Sequence, residues 1–311
     1  MKILIAYDGS GYSHTALDDL QHAGLPPDAD VFVISIAEEW LSTKTNGTSF
    51  NSTRDDDVRA YFQQHADQMD RNLAETKAIL VEAKQKLHRN FPKWMVRTEA
   101  IIGSPAQLIL KRAAEFNPDL IVVGAQGLST DGLGGIGSVS QKIISDSPFP
   151  VRIVRSKLEN DGAPFKIDIG YDGSPGSMGA IRAVASRYWR VRPEIRILVV
   201  TDPLIALIPG RAFRVIEALP ENETKGETKW VETFTGKAKQ VLETAGLSAT
   251  IHAYSGNPRM VLLAVSKKWK SDTIFIGANS RQIQSRSLGC VASAIAAHAI
   301  CSVEIISNLD T

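Results

Sequence analysis

The stretch GAQGLSTDGLGGIGSVSQKIISDSPFPVRIVR (124–155) joins a glycine-rich loop to a helical pattern and then to a short β-branched run. It directly follows the apolar run LIVV (120–123), which predicts a buried strand. Glycine loses more backbone entropy on folding than any other residue, so a cluster after a strand indicates an unusual chain path. The loop therefore either turns tightly for packing or brings its main chain close to a ligand.

The regions that flank this stretch occur twice in the chain. KILIAYDGSGYSHTAL (2–17) returns as KIDIGYDGSPGSMGAI (166–181), and GSPAQLILKRAAEFNPDLIVVGAQG (103–127) returns as GNPRMVLLAVSKKWKSDTIFIGANS (256–280). Because the segments match in order as well as in type, they indicate an internal repeat. We predict two homologous domains, residues 1–156 and 165–308, joined by a polar linker.

The composition narrows the class of protein. The chain has 311 residues, 43% of them hydrophobic and 22% charged, with a formal net charge of +1. This balance is typical of a soluble globular protein and gives no sign of a nucleic-acid partner. Membrane-spanning helices need about 18 or more apolar residues in a row, and no such run occurs in the sequence. Two cysteines form neither a metal pattern nor a disulfide framework, so we expect a cytoplasmic protein that binds no nucleic acid and no membrane.

Strand-like and helix-like patterns alternate within each repeat. In the first copy, the runs ILIAY, VFVISI, VRTEAII, LIVVG and VRIVR predict strands, and helical patterns lie between them. The runs ILIA and LIVV lack polar alternation, as in parallel sheets that are buried on both faces. The sequence therefore predicts an α/β fold with a doubly wound, mostly parallel five-stranded sheet in each domain. Such sheets bind ligands beyond the carboxyl ends of their strands, where Asp8 and the glycine loop lie.

The glycine loop leads into the start of a predicted helix. We expect Ser138 or Ser140 to cap this helix, whose unpaired N–H groups and dipole favour an anion such as a phosphate. The G-x-G-x-x-G pattern at Gly132, Gly134 and Gly137 is not a dinucleotide fingerprint, because a helix follows it and not a strand with an acidic residue. A glycine-rich crossover that only packs remains the alternative.

These residues resemble the universal stress protein family. In that family's nucleotide-binding signature, a strand is followed by a glycine, two residues, a glycine, nine residues and then Gly-Ser. Gly124, Gly127, Gly137 and Ser138 match it in type and spacing, and AYDGS and PVRIVR resemble the family's first and last strands. The similarity covers most of both halves, so the chain is identified as a tandem member with the adenine nucleotide alpha hydrolase-like fold.

The resemblance implies that the first domain binds ATP, or AMP or ADP, with any Mg²⁺ held through the phosphates. The implied ligand contacts are Tyr7, Asp8, Ile36, Gly124, Gln126, Gly127, Gly137, Ser138, Val139 and Ser140. Gln126 stands where many members carry histidine or arginine. For Asp8 the alternative is a purely turn-forming Asp-Gly pair.

The second copy departs from the signature. Ser280 replaces the second glycine, and Cys290 replaces the serine. We therefore expect the second domain to bind nucleotide weakly or not at all, although Arg281 and Arg286 could attract phosphates. The residues of this degenerate site are Asp172, Val200, Gly277 and Gly289.

Family domains pair through their last strands, so the resemblance implies that VRIVR (151–155) and VEIIS (303–307) form an intrachain pseudo-dimer, to which a homodimer could be added. No nucleophile–base pattern is visible, so nucleotide binding without efficient turnover is expected. The predicted function is an adenine-nucleotide-binding regulatory module in the stress response, with an unknown protein partner. The alternatives are a slow ATPase or phosphotransferase and a nucleotide-free interaction scaffold. The polar segment 42–57 is expected to be a disordered loop, a lid or a partner surface.

Overall fold

The computed structural model describes residues 1–38, 55–126, 135–155, 164–201, 225–278 and 288–307. Residues 42–54 of the polar segment and the linker 156–163 therefore lie outside the described residues, as does Gly127. Residues 55–57, which the sequence pattern assigned to a loop, begin a helix.

The first half of the chain alternates strands with helices. Its elements are β1 (Lys2–Ala6), α1 (Gly11–Asp19), β2 (Asp30–Ala37), α2 (Asp55–Asn90), β3 (Met95–Ile102), α3 (Pro105–Phe116), β4 (Leu120–Gly124), α4 (Ser138–Asp146) and β5 (Val151–Val154). Each strand predicted in this half is present. Helices lie between these strands, as the alternating pattern predicted.

The second half repeats this order. Its elements are β6 (Lys166–Gly170), α5 (Pro175–Ala185), β7 (Glu194–Thr201), α6 (Lys225–Thr244), β8 (Ala249–Ser255), α7 (Pro258–Trp269), β9 (Thr273–Gly277), α8 (Cys290–His298) and β10 (Ser302–Ile306). Local signals recur with the elements. Helices α3 and α7 both have proline in their first turn and both end on a residue with left-handed backbone, Asn117 and Lys270.

All ten strands form one sheet in the order β3-β2-β1-β4-β5-β10-β9-β6-β7-β8. The described pairings are parallel except that of β5 with β10, which is antiparallel with Arg152 opposite Glu304. The predicted pairing of the two last strands is confirmed. The two expected five-stranded sheets are consequently continuous with each other.

Both faces of the sheet are covered, which explains the uninterrupted apolar strands. Ile3 and Ile5 of β1 contribute to one cluster with α1 and α2, whereas Leu4 lies in the cluster on the opposite face. That opposite cluster continues across the β5–β10 junction into α8 and β9. One face of the sheet therefore carries a core that both halves share, and the other carries a separate core for each half.

Strand order reverses between β1 and β4, because β2 and β3 extend from one side of β1 and β4 and β5 from the other. The crossovers from these strands leave a crevice at their carboxyl ends, as in other doubly wound sheets. The residues that follow β1 and β4 in sequence are Tyr7, Asp8 and Gln126. The fold therefore positions the sequence-predicted site at its topological switch point.

Candidate functional site

A cavity of about 510 Å³ lies in this crevice of the first half. Its lining includes the end of β1, the end of β2, the end of β4 and the start of α4. The sequence-predicted residues among its lining are Tyr7, Asp8, Ile36, Gly124, Gln126, Gly137, Ser138, Val139 and Ser140. Gly127, the remaining predicted contact, lies outside the described residues.

Asp8 lines the cavity and also shapes the turn that follows β1. Its Oδ1 atom accepts a hydrogen bond of 3.0 Å from the Ser10 N–H, and Ser10 Oγ in turn accepts from Ser13 N–H at the start of α1. Asp172 accepts the equivalent bond from Ser174 N–H at 2.9 Å in the second half. Asp8 and Asp172 therefore both stabilise a turn, and Asp8 also lines the cavity.

Tyr7 forms a buried wall of the cavity beside Asp8. Its phenol oxygen lies 3.1 and 3.2 Å from the two ring nitrogens of His14, so the bond to one of them depends on the imidazole tautomer. Burial raises the pKa of Tyr7 to about 12, and the negative charges of Glu82 and Asp8 add to the effect. The phenol therefore stays neutral at physiological pH and presents an uncharged surface to a ligand.

Gly124 lies in a tight packing contact with helix α1. A Cβ atom at this position would lie 3.0 Å from the main-chain carbon of Tyr12 and 3.2 Å from the Ser13 nitrogen, because the first turn of α1 packs against the end of β4. Gly277 is approached even more closely, with 2.4 Å between its hypothetical Cβ and the main-chain carbon of Gly176. Of the two roles that the sequence left open for the glycines, packing applies at this position.

Helix α4 begins without a side-chain cap. Gly137 is the N-cap residue, and its N–H donates to the Ala125 carbonyl at 2.7 Å. The expectation that Ser138 or Ser140 caps the helix was wrong, since Ser138 is the first helical residue and the Ser140 hydroxyl donates to the Gly124 carbonyl at 2.6 Å. The first N–H groups of a helix have no intrahelical acceptor, so the amides of residues 138–140 are without an acceptor inside α4 and lie at the cavity.

Gln126 has an internal role at the edge of the cavity. Its Nε2 atom donates to the Gly135 carbonyl at 3.3 Å, and Arg155 Nη1 donates to the same oxygen at 2.9 Å. Two donors thus fix the end of the glycine-rich loop where it approaches α4.

Helix α2 supplies cavity residues that the sequence analysis missed. They share one face of the helix and comprise Asn72, Glu75, Thr76 and Ile79. Thr76 is 8% exposed and donates its hydroxyl proton to the Asn72 carbonyl at 2.7 Å. The available signal was two polar residues, Asn72 and Thr76, beside the apolar stripe of this helix, but their target could not be read from the sequence.

The described part of the lining is acidic. It contains the carboxylates of Asp8, Glu38 and Glu75, and among its described residues there is no lysine or arginine. An anionic ligand would therefore find its favourable contacts at the main-chain N–H groups of α4. A divalent cation bound to the ligand would reduce repulsion from the carboxylates.

The degenerate site of the second half keeps the same backbone frame. Gly289 caps α8 with φ −63° and ψ 151°, close to the −68° and 154° of Gly137, and its N–H donates to the Ala278 carbonyl at 2.7 Å. Asp172 follows β6, Val200 lies in β7 and Gly277 ends β9. The substituted loop residues Ser280, Arg281 and Arg286 lie outside the described residues, so weaker binding by this half stays a prediction.

No helix in the described ranges combines the length and the apolar composition that crossing a bilayer requires.

Together, the fold and the cavity define a tandem doubly wound α/β protein with a ligand-sized crevice at the switch point of its first half. The family model described as "Universal stress protein family" matches residues 1–155 and again residues 165–307. The chain therefore belongs to the universal stress protein family, and it is a tandem member.

Individual relatives agree with this assignment. The chain is 33% identical over 158 residues to universal stress protein YxiE of Bacillus subtilis, an alignment that spans 50% of this chain and 98% of the relative. A universal stress protein structure from Archaeoglobus fulgidus has a TM-score of 0.63 at 18% identity and covers 98% of both chains. A putative universal stress protein structure from Pseudomonas aeruginosa has a TM-score of 0.61 at 14% identity, covering 98% of this chain and 92% of the other. At these identities the structural matches support the fold.

Proposed function

We propose that the first half binds one adenine nucleotide in this cavity and that the protein is a nucleotide-dependent regulatory module of the stress response. The observation that carries the proposal is the convergence of the β1, β2 and β4 ends with the uncapped start of α4 on one cavity. A volume of about 510 Å³ lies in the range usual for small-molecule sites. The stress-response role rests on family membership.

The lining suggests how the nucleotide would lie. Ile36, half-buried at the end of β2, together with Tyr7 and Ile79, gives an apolar and uncharged region suited to the base. The amides of residues 138–140 would donate hydrogen bonds to the phosphate oxygens. Main-chain donors of this kind recognise a phosphate without a lysine or arginine.

The acidic lining also bears on the ligand's charge. Asp8, Glu38 and Glu75 disfavour a bare triphosphate, so a Mg²⁺ ion held by the phosphates would favour ATP binding. The ion supplies charge neutralisation when bound, and this chain's residues supply orientation. Regulation would follow from binding alone, since the proposal assigns no catalytic group.

The test is calorimetric titration of the full chain with ATP, AMP and adenosine, comparing Ser138→Pro with Ser138→Ala. Proline fits the first position of a helix, and Gly137 already has the extended backbone that a residue before proline prefers. The substitution therefore removes one N–H donor without disturbing α4. We expect it to weaken ATP and AMP binding about ten- to a hundredfold and to leave adenosine binding unchanged.

Cys290→Pro is the matched control, because Cys290 occupies the first position of α8 after a glycine with the same backbone angles. It should leave all three affinities unchanged, with a stoichiometry of one nucleotide per chain. Absence of nucleotide binding to the unaltered protein would contradict the proposal and favour the scaffold alternative. Steady release of phosphate from Mg-ATP in the same samples would instead identify a slow ATPase.

A further inference from the structure

The junction between the halves contains a buried row of alternating charges, which we call the junction charge chain. Its members are Asp19, Arg152, Glu304 and Arg187. Arg152 Nε lies 2.5 Å from Asp19 Oδ2, Arg152 Nη1 lies 3.2 Å from Glu304 Oε2, and Arg187 Nη2 binds Glu304 Oε1. Arg152 and Glu304 are both 0% exposed. Solvent therefore cannot screen these charges, and each depends on its neighbour.

The two central charges occupy equivalent positions of the repeat. Gly137 and Gly289 are separated by 152 positions, and so are Arg152 and Glu304. The antiparallel register places Arg152 directly opposite Glu304, on the pseudo-two-fold axis that relates the halves. Two first halves joined in this way would place two buried arginines opposite each other, and two second halves would place two buried glutamates there.

The outer members of the charge chain are asymmetric as well. Asp19 of α1 and Arg187, which follows α5, correspond to Ala183 and Ala23 at the repeat interval of 164 that separates Asp8 from Asp172. Each half thus supplies the counter-charge for its own central residue. The first half also presents the positive charge of Arg152 to the second half, and the second half presents the negative charge of Glu304 to the first.

A steric difference lies at the same junction. Gly24 has φ +63°, and a Cβ atom there would lie 2.8 Å from the Trp189 ring and 2.9 Å from Arg187 Cβ. Its carbonyl accepts from Tyr188 N–H at 2.8 Å, and Tyr188 is the residue equivalent to Gly24 in the second half. Two second halves would therefore bring a tyrosine to a place with no room for a Cβ.

We propose that each half of this protein selects the unlike half as its sheet partner, and that the junction charge chain excludes pairing between two copies of the same half. The β5 edge fits a partner strand that carries a carboxylate at the axis and a cation behind it. In a like pair each central charge would keep the counter-charge of its own half, but two buried like charges would face each other at the axis, which is unfavourable, whereas the unlike pair places Arg152 against Glu304 there. The linker adds to this preference by keeping the correct partner close.

The experiment cuts the covalent link between the halves, so that it measures only their preference for like or unlike partners. A protease site is inserted within residues 156–163, and the full chain is folded and purified before it is cut, so that neither half has to fold alone. Cut protein from isotopically light and heavy preparations is mixed, and urea is added until unlike pairs contain both labels, which proves exchange. Native mass spectrometry then counts like and unlike pairs. We expect at least about a hundredfold fewer like pairs than random recombination gives.

The variants test the charges themselves. In a neutral variant that combines Asp19→Asn, Arg152→Met, Glu304→Met and Arg187→Met, pairs of two first halves should rise towards the random proportion, whereas Tyr188 still hinders pairs of two second halves. Glu304→Gln alone should raise like pairs about tenfold, and it serves if the neutral variant does not fold. The control Asp168→Asn with Arg196→Met removes a buried ion pair between β6 and β7, away from the junction, and should leave selection intact. Random pairing by the unaltered halves, or unchanged selection in the neutral variant, would overturn the proposal.

Discussion

Polar side chains around the cavity are largely engaged in holding the protein together. Asp8 accepts from the Ser10 amide, Ser140 donates to the Gly124 carbonyl, and Gln126 donates to the Gly135 carbonyl. Such bonds are short and local to the crevice, so they fix its shape before a ligand arrives. In the proposed function, the recognition of a phosphate then falls to main-chain N–H groups, whose position is set by the helix. Preorganisation of this kind reduces the ordering cost of binding.

Burial of Tyr7 makes the stability depend on pH. Because its pKa is raised to about 12 from 10.0, the folded state disfavours the phenolate. The stabilisation by the neutral phenol is therefore fully present below pH 10.0 and is lost as the pH rises towards about 12. We expect the free energy of unfolding of the unaltered protein to exceed that of Tyr7→Phe at pH 9 and to lose this advantage near pH 11.5. Urea unfolding at both pH values measures this difference in the free energy of unfolding.

The control for that measurement is Tyr188→Phe, since Tyr188 is 53% exposed. Its effect on stability should be small and equal at the two pH values. A constant difference between the unaltered protein and Tyr7→Phe across this range would show that ionisation of Tyr7 is not coupled to folding.

At the scale of elements, the end of β4 and the first turn of α1 form one packed unit. At Gly124 the end of β4 lies so close to the first turn of α1 that a Cβ atom would come within 3.0 Å of the main-chain carbon of Tyr12. The same contact is formed by β9 and α5 at Gly277. The glycines that end these strands are therefore explained by helix packing in both halves, whether or not a half binds a ligand.

We expect Gly124→Ala and Gly277→Ala to destabilise the protein, because a Cβ at either position meets main-chain atoms that cannot rotate away. Overpacking of this kind usually costs about 1–3 kcal/mol. Gly277→Ala should cost more, since its closest approach is 2.4 Å compared with 3.0 Å at Gly124. Urea unfolding gives the two free energies.

Gly11→Ala is the matched control, because no atom lies within 4 Å of a Cβ at that helical position. It should be neutral or slightly stabilising. An equal loss at all three glycines would show that the contacts with α1 and α5 are not its cause.

At the scale of the whole molecule, the pairing of β5 with β10 joins the two repeats into one sheet. The sheet is continuous across it, and the shared core contains Ile153 and Ile143 of the first half together with Ile274 and Ile295 of the second. A nucleotide bound in the first half would therefore stabilise the second half as well. Under the proposed function, nucleotide binding and domain pairing would be linked through this core.

We predict that the halves unfold together. Ile274→Ala removes a side chain that is 1% exposed in the shared core, and such substitutions usually cost about 2–5 kcal/mol. Hydrogen exchange should show the same loss of protection in β1 of the first half as in β9 of the second. The control Met260→Ala, at a position 69% exposed on α7, should change both little. Loss of protection confined to the second half would mean that the halves unfold separately.

Local patterns predicted much of this architecture. The pairing of the terminal strands was implied by the family resemblance, whereas the repeat and the strands of each copy follow from matched segments and apolar runs. These features depend on residues near one another in the chain, so their physical causes are visible in short segments. The cavity residues at the ends of β1 and β4 follow from the general rule for doubly wound sheets.

A tandem α/β fold with a glycine loop at the carboxyl ends of its strands could be predicted from the amino-acid sequence. Three-dimensional contacts were needed to show that Asn72 and Thr76 of α2 line the cavity, that Gly124 serves packing, and that Arg152 meets both Asp19 and Glu304. Arg152, for example, contacts residues that lie more than a hundred positions away in the chain. Such contacts depend on strand register and on the distance between elements, and neither quantity is contained in the local pattern of a segment.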